Sequence, residues 1–144
     1  MLIKVVLDTN VWISALRNPG TPRKIVEGFK ENLFLLYCAE ELLAELITVL
    51  DRPKFAGKII KAEADDLVDF IRETATFIEI QHKPTISRDL KDNMFLACVA
   101  NAHCDFLVTG DGKHLLVLGQ YKNTKIVSPA QFLHILNQQK LDHL

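Results

Sequence analysis

Residues 5–10 read VVLDTN: an apolar run that ends on a carboxylate, a hydroxyl and an amide. The longer segment, LIKVVL over residues 2–7, is apolar except for Lys4, as in a strand covered on both faces. It stops on Asp8. Asp and Asn are common at turns and helix starts, so Asp8 reads in one way as punctuation. It reads in another as a ligand-bearing residue, because open α/β sheets bind ligands beyond the carboxyl ends of their strands, where the strand order reverses.

Working outward, strands and helices alternate. NVWISAL begins a helix that NPGTP (18–22) breaks, 22–31 reads as a helix, and LFLLYC (33–38) as a second buried strand. AEELLAELITVL (39–50) has apolar residues at 39, 42, 43, 46, 47 and 50, which is helical spacing. A helix follows over 63–74, a short strand TFIEI (76–80), a helix over 92–102 and a strand DFLVT (105–109). A last strand, KIV (125–127), leads to a closing helix over 129–139 with Pro129 in its first turn. The alternation predicts an α/β fold with a central parallel sheet between helices, a three-layer α/β/α arrangement in one domain over residues 1–144.

Bulk properties narrow the classes. The 144 residues suffice for one core, and 49% hydrophobic with 24% charged residues is ordinary for a soluble domain. A net charge of −1 gives no overall attraction to a polyanion, so nucleic acid would have to be met by a local basic patch or bound cations. No apolar run approaches the ~20 residues of a membrane span, and the opening MLIKVVL lacks the length and cleavage site of a signal peptide. Cys38, Cys98 and Cys104 are odd in number and show no C-x-x-C spacing, which fits reduced, buried thiols in a cytoplasmic protein. The five histidines show no ligand spacing, against a zinc enzyme.

Four carboxylates can meet at one end of such a sheet. Asp8 follows the first strand and Asp111 follows FLVTG, so they face each other if strands one and four are neighbours. Glu45 sits at the margin of the apolar arc of its helix, about 40° from Val49 on a wheel of ~100° per residue. Asp92 opens the helix before the fourth strand, where the helix dipole favours an anion. Each has a plainer reading: Asp92 as a cap, Glu45 as a solvated residue beside Glu40 and Glu41, Asp111 as part of a TGDG turn. Together they form a cluster whose mutual repulsion a divalent cation removes. Oxygen ligands without His or Cys point to Mg²⁺ or Mn²⁺, and such sites suit phosphodiester hydrolysis.

The chain resembles the PIN-domain nucleases, and among them the VapC-like proteins classed as toxins of toxin–antitoxin pairs. VVLDTNVWISAL is similar to the family's opening, AEELLAELITVLDRPKF to its second acidic motif, RDLKDNMFLACVANAHCDFLVTGDGKHLL to its third and fourth, and KIVSPAQFL to its ending. The resemblance implies a Mg²⁺- or Mn²⁺-dependent endoribonuclease leaving a 5′-phosphate and a 3′-hydroxyl. It implies metal-binding, catalytic acids at Asp8, Glu45, Asp92 and Asp111, with Asn10 and Thr109 as polar supports. Asp89 competes with Asp92 for the third place, since RDLKD offers both; Asp92 is favoured as the residue at the helix start. Some relatives carry a further acid after the fourth; Gly112, Lys113 and His114 stand there here. RNA, a cognate antitoxin and a second copy of the chain are the partners implied, and no membrane.

The surface that would hold RNA is less marked. Arg52, Lys54, Lys58 and Lys61 form one basic stretch and Arg17, Arg23 and Lys24 another, which read either as phosphate contacts or as a solvated face. Trp12 and Tyr121 read as stacking residues or as core. Two rival classes stand beside the nuclease. A phosphoaspartyl protein would use Asp8 as a nucleophile, but Asn10 replaces the second aspartate of the phosphatase pattern, and the acidic pair of a receiver is missing. A PIN-like binding module without chemistry is the other.

Overall fold

The computed structural model describes residues 2–81, 85 and 89–142. The strands are β1 (Lys4–Leu7), β2 (Leu35–Cys38), β3 (Thr76–Phe77), β4 (Phe106–Val108), β5 (Gln120–Tyr121) and β6 (Thr124–Val127). The helices are α1 (Thr9–Arg17), α2 (Thr21–Lys30), α3 (Glu40–Leu50), α4 (Lys61–Thr74), α5 (Leu90–Asn101) and α6 (Pro129–Asp142).

The sheet runs in the order β3-β2-β1-β4-β6-β5. Every pairing is parallel except that of β5 with β6. The chain winds outward from β1 through β2 to β3, then crosses back to place β4 on the other side of β1. The strand order therefore reverses between β1 and β4. Their register sets Val5 beside Phe106, Val6 beside Leu107 and Leu7 beside Val108.

The strand period of two sorts these residues between two cores. Val5, Leu7, Leu36 and Val108 pack with α1, α2, α4 and α6, through Val11, Ile25, Phe29, Leu67, Ile71 and Phe132. Val6, Leu107 and Ile126 pack on the opposite face against α5, through Phe95, Leu96, Cys98 and Val99. Helix α3 belongs to both, with Leu43 and Leu46 in the first core and Leu42 in the second. The expected layers of helix, sheet and helix are thus present. Burying each large apolar side chain contributes about 1.5–3 kcal/mol, so the central strands are the most heavily anchored part of the chain.

Several local expectations need correction. The sheet is not wholly parallel, because Gln120 and Tyr121 fold back on Thr124 and Lys125 as an antiparallel edge. The strand expected over 76–80 is confined to Thr76–Phe77, followed by one further hydrogen bond from Ile78 N–H to the Cys38 carbonyl at 3.0 Å. Helix α5 starts at Leu90 rather than at residue 92, with Asp89 as its cap.

Trp12 is core, edge-on to Phe29 at 5.8 Å between ring centroids. Cys98 and Cys104 are buried and Cys38 half-buried. Burial pushes the Cys38 thiol up to about 11 and that of Cys104 to about 12, which keeps them protonated and unreactive. Among the described residues no helix is long and apolar enough to cross a membrane.

Candidate active site

The chain leaves β1 with its ladder still intact: Asp8 N–H donates to the Val108 carbonyl at 2.9 Å, and Thr109 N–H to that of Val127 at 3.0 Å. The first bond holds the ends of β1 and β4 side by side where the strand order reverses, and the second ties the end of β4 to β6. Asp8 then serves as the cap position of α1, in extended backbone, yet its side chain makes no capping bond. Its carboxylate turns to Thr109, whose hydroxyl donates to Oδ2 at 2.6 Å. The reading of Asp8 as mere helix punctuation fails on this point.

The loop after β4 is built around the same hydroxyl. Asp111 N–H donates to Thr109 Oγ1 at 3.0 Å. Asp111 Oδ1 accepts from the N–H groups of Lys113 (3.0 Å) and His114 (3.1 Å), which fixes its side chain. Gly110 N–H points to Asn10 Oδ1 at 3.4 Å, a long bond that links the start of α1 to the loop. Both expected polar supports thus stand beside the acids, joining β1 to β4.

A cleft of about 300 Å³ opens over these strand ends. Asp8, Glu45, Asp89, Asp92 and Asp111 all line it, with Asn10 and Phe95. The ends of β1 and β4, with α3 and α5, thus bring all four expected acids, and Asp89 as well, to one cavity. Asp92 and Asp89 play different parts there. Asp89 Oδ1 accepts from Lys91 N–H at 2.9 Å and caps α5. Asp92, three residues on, is buried with only 6% exposure and contributes repulsion at Asp8.

Asp8 retains 7% exposure. Burial raises its pKa from 3.8 to about 6, opposed by the bonds from Thr109 and from the Thr9 backbone and reinforced by the charges of Asp92 and Asp111. A carboxylate crowded in this way is short of positive charge.

Among the described residues, three cations share the cleft: Arg52, Lys54 and Lys91. Arg52 and Lys54 were legible in the sequence as part of a basic stretch; Lys61 instead lines a separate groove between α3 and α4. Lys91 stands outside those basic stretches, and its only sequence signal is its place in RDLKD between Asp89 and Asp92. Its ammonium lies 2.9 Å from Glu45 Oε1.

The residues fit a divalent cation in kind. The donors are carboxylate oxygens, which suit Mg²⁺ or Mn²⁺, and Asp8, raised chiefly by burial and further by the charges of Asp92 and Asp111, is a carboxylate that a cation would stabilise. In the present side-chain arrangement, and among the described residues, no three His, Cys, Asp or Glu side chains converge as a ligand set. Glu45 is engaged by Lys91 instead.

Comparison with known proteins bears on the fold around this cleft. The family model of the PIN domain matches residues 4–113, from the first strand to two residues past Asp111. The chain belongs to the PIN-domain family. This PIN domain is 30% identical over 131 residues to Uncharacterized protein MJ1680 of Methanocaldococcus jannaschii, a match covering 86% of this chain and 81% of that protein.

Solved structures share the fold. VapBC2 from Rickettsia felis, bound to a DNA fragment from their promoter, matches with a TM-score of 0.58 at 17% identity over 88% of this chain and 98% of that one. VapC20 of Mycobacterium tuberculosis, a Sarcin-Ricin loop cleaving toxin, matches with a TM-score of 0.54 at 12% identity over 84% and 98%. At these identities the likeness is one of fold, and on fold the resemblance to VapC-like PIN domains holds.

Proposed function

We infer that this PIN domain is a metal-dependent endoribonuclease, the toxin of a toxin–antitoxin pair, acting in the cytoplasm. The observation that carries the reading is Asp8: a buried carboxylate at the strand-order reversal, its pKa raised to about 6, lining one cleft with Glu45, Asp92 and Asp111. Membership of the PIN family and the fold shared with VapC20, a Sarcin-Ricin loop cleaving toxin, support RNA as the substrate to test. The fold shared with VapBC2 supports an antitoxin partner. A second copy of the chain is the remaining partner of this reading.

Asp8, Asp92 and Asp111, joined by Glu45, would hold Mg²⁺ or Mn²⁺. The ion would activate water and neutralise charge growing on the phosphoryl group. The protein's own residues prepare this. The Thr109 hydroxyl orients Asp8 and favours its charged form. The backbone N–H groups of Lys113 and His114 pin Asp111. Between the acids, Asp92 is preferred to Asp89 as a ligand because it is buried beside Asp8, whereas Asp89 caps α5. Arg52 and Lys54 line the wall where RNA phosphates on either side of the cut would lie, so cleavage should weaken as salt rises. The products carry a 5′-phosphate and a 3′-hydroxyl.

The test is incubation of purified protein with end-labelled RNA in Mn²⁺ or Mg²⁺, beside Asp8→Asn and a chelator control. Cleavage that requires the ion and disappears in Asp8→Asn is expected. Folded wild-type protein that binds Mn²⁺ and RNA but cuts none of a panel of structured and single-stranded RNAs would mark a binding module instead.

A further inference from the structure

The cleft already contains a cation of its own. Lys91 Nζ and Glu45 Oε1 are 2.9 Å apart, with the Glu45 side chain 16% exposed and that of Lys91 48%. The other ion pairs among the described residues are looser and lie in solvent: Lys61–Asp65 at 3.6 Å and Arg72–Glu40 at 3.3 Å, with every side chain at least half exposed. The pair therefore stands apart in both distance and burial.

Its placement is also unusual for a lysine. The backbone of Lys91 is fixed in the first turn of α5 by its N–H bond to Asp89. That end of a helix carries positive partial charge and disfavours a cation. The helix dipole therefore does not explain the residue. A carboxylate on a different helix, α3, receives its charge. The backbone is anchored while the four-carbon stem can swing, and the half-exposed side chain lines the same cavity as Asp8, Asp92 and Asp111.

We propose that Lys91 is a coupling cation: it neutralises Glu45 while the cleft lacks a divalent ion, and entry of that ion releases its ammonium to a backbone phosphate of the nucleic acid. Glu45 cannot serve Lys91 and a metal at full strength together, so the metal competes with the ammonium. A released ammonium in an acid-rich cleft is drawn to an incoming phosphate. Metal and nucleic acid then favour each other's binding through one side chain, and the coupling must be reciprocal. Lys91 is in this account a positioning residue for metal and substrate.

The inference rests on the metal-dependent reading above, and binding measurements separate the two. Metal-free protein is titrated calorimetrically with MnCl₂. A fluorescent oligoribonucleotide with a non-hydrolysable backbone is then titrated by anisotropy, with and without Mn²⁺. Wild type is expected to bind Mn²⁺ and to hold the oligonucleotide more tightly when Mn²⁺ is present. Lys91→Met, which keeps the aliphatic stem, should bind Mn²⁺ roughly three- to tenfold more tightly because its competitor is gone. It should also lose most of the Mn²⁺-dependent gain in oligonucleotide affinity. Lys91→Arg should restore wild-type behaviour, and Lys30→Met, at the distant end of α2, should change neither quantity. Unchanged or weaker Mn²⁺ binding by folded Lys91→Met would overturn the inference and leave the nuclease reading standing. Failure of wild type itself to bind Mn²⁺ would overturn both.

Discussion

Two aspartates stand at opposite ends of the β1–β4 pair. At the amino end, Asp105 is exposed, and its Oδ2 accepts the backbone N–H of Lys4 at 2.8 Å. Close by, the buried Thr124 hydroxyl donates to the Cys104 carbonyl at 2.7 Å. Each polar side chain there closes a backbone bond that the strands leave open. At the carboxyl end the Thr109 hydroxyl donates to the Asp8 carboxylate, one side chain to another, while Asp111 N–H donates to Thr109 and Gly110 N–H to Asn10. Asp8 is buried among like charges, with a pKa raised to about 6. The same residue types thus tie the strands together at one end and accumulate unfavourable charge at the other. A carboxylate kept where it weakens the fold points to chemistry at that end of the sheet.

The largest effect should come from Asp8→Asn. Metal-dependent cleavage is expected to fall by about a thousandfold or more, read with labelled RNA. The metal-free variant should nevertheless be more stable than wild type above pH 7, because the gap between 3.8 and about 6 corresponds to roughly 3 kcal/mol of destabilisation by ionised Asp8. Lower stability for Asp8→Asn in chemical denaturation at that pH would contradict the contrast drawn between the two ends.

The same gap fixes a pH dependence. Protonated Asp8 stabilises the native state fully below pH 3.8, and this contribution is lost as pH rises through about 6. The stability difference between Asp8→Asn and wild type should therefore be small near pH 4, grow up to pH 6 and level off above it. Denaturation midpoints at a series of pH values in chelator check this, and a difference that shrinks as pH rises would refute it.

Thr109→Val removes the donor that favours ionised Asp8. Cleavage should drop on the order of tenfold and its acid limb should move to higher pH; a pH–rate profile identical to wild type would break the link between the two residues. Thr124→Val at the other end leaves the Cys104 carbonyl without its hydroxyl partner. It should cost about 1–2 kcal/mol of stability and leave the rate per folded molecule unchanged. The smallest effect belongs to Asp105→Ala, where an exposed bond is lost: below about 1 kcal/mol by chemical denaturation, again with normal cleavage.

How much of this was legible in the sequence follows from which forces act locally. Apolar runs bounded by Asp8 and by Thr109–Asp111 marked β1, β4 and their carboxyl ends, because burial on both faces leaves a continuous hydrophobic signature. Strand β6 is legible as KIV, but its partner β5 left no such trace. β5 is two residues long, and the turn after it holds Lys122 at a φ of 51° without an Asn-Gly or Asp-Gly signal. The sequence sets the start of α5 late because Asp89 and Asp92 are equally good cap residues, and only the fold shows which caps the helix and which is buried. Arg52 and Lys54 were read as a basic stretch, but the burial of Asp92 and the reach of Lys91 to Glu45 are tertiary facts that spacing alone does not encode. The apolar run after Asp111 divides likewise: Leu115 is fully buried and Val117 is 70% exposed.

Among the described residues both borders of the sheet are two-residue strands, Thr76–Phe77 on one side and Gln120–Tyr121 on the other. Such short edges offer few open backbone groups to a foreign strand, which limits templated aggregation and recognition by strand addition. A macromolecule that grips this protein is therefore expected to do so chiefly through side chains on its helices and through the cleft.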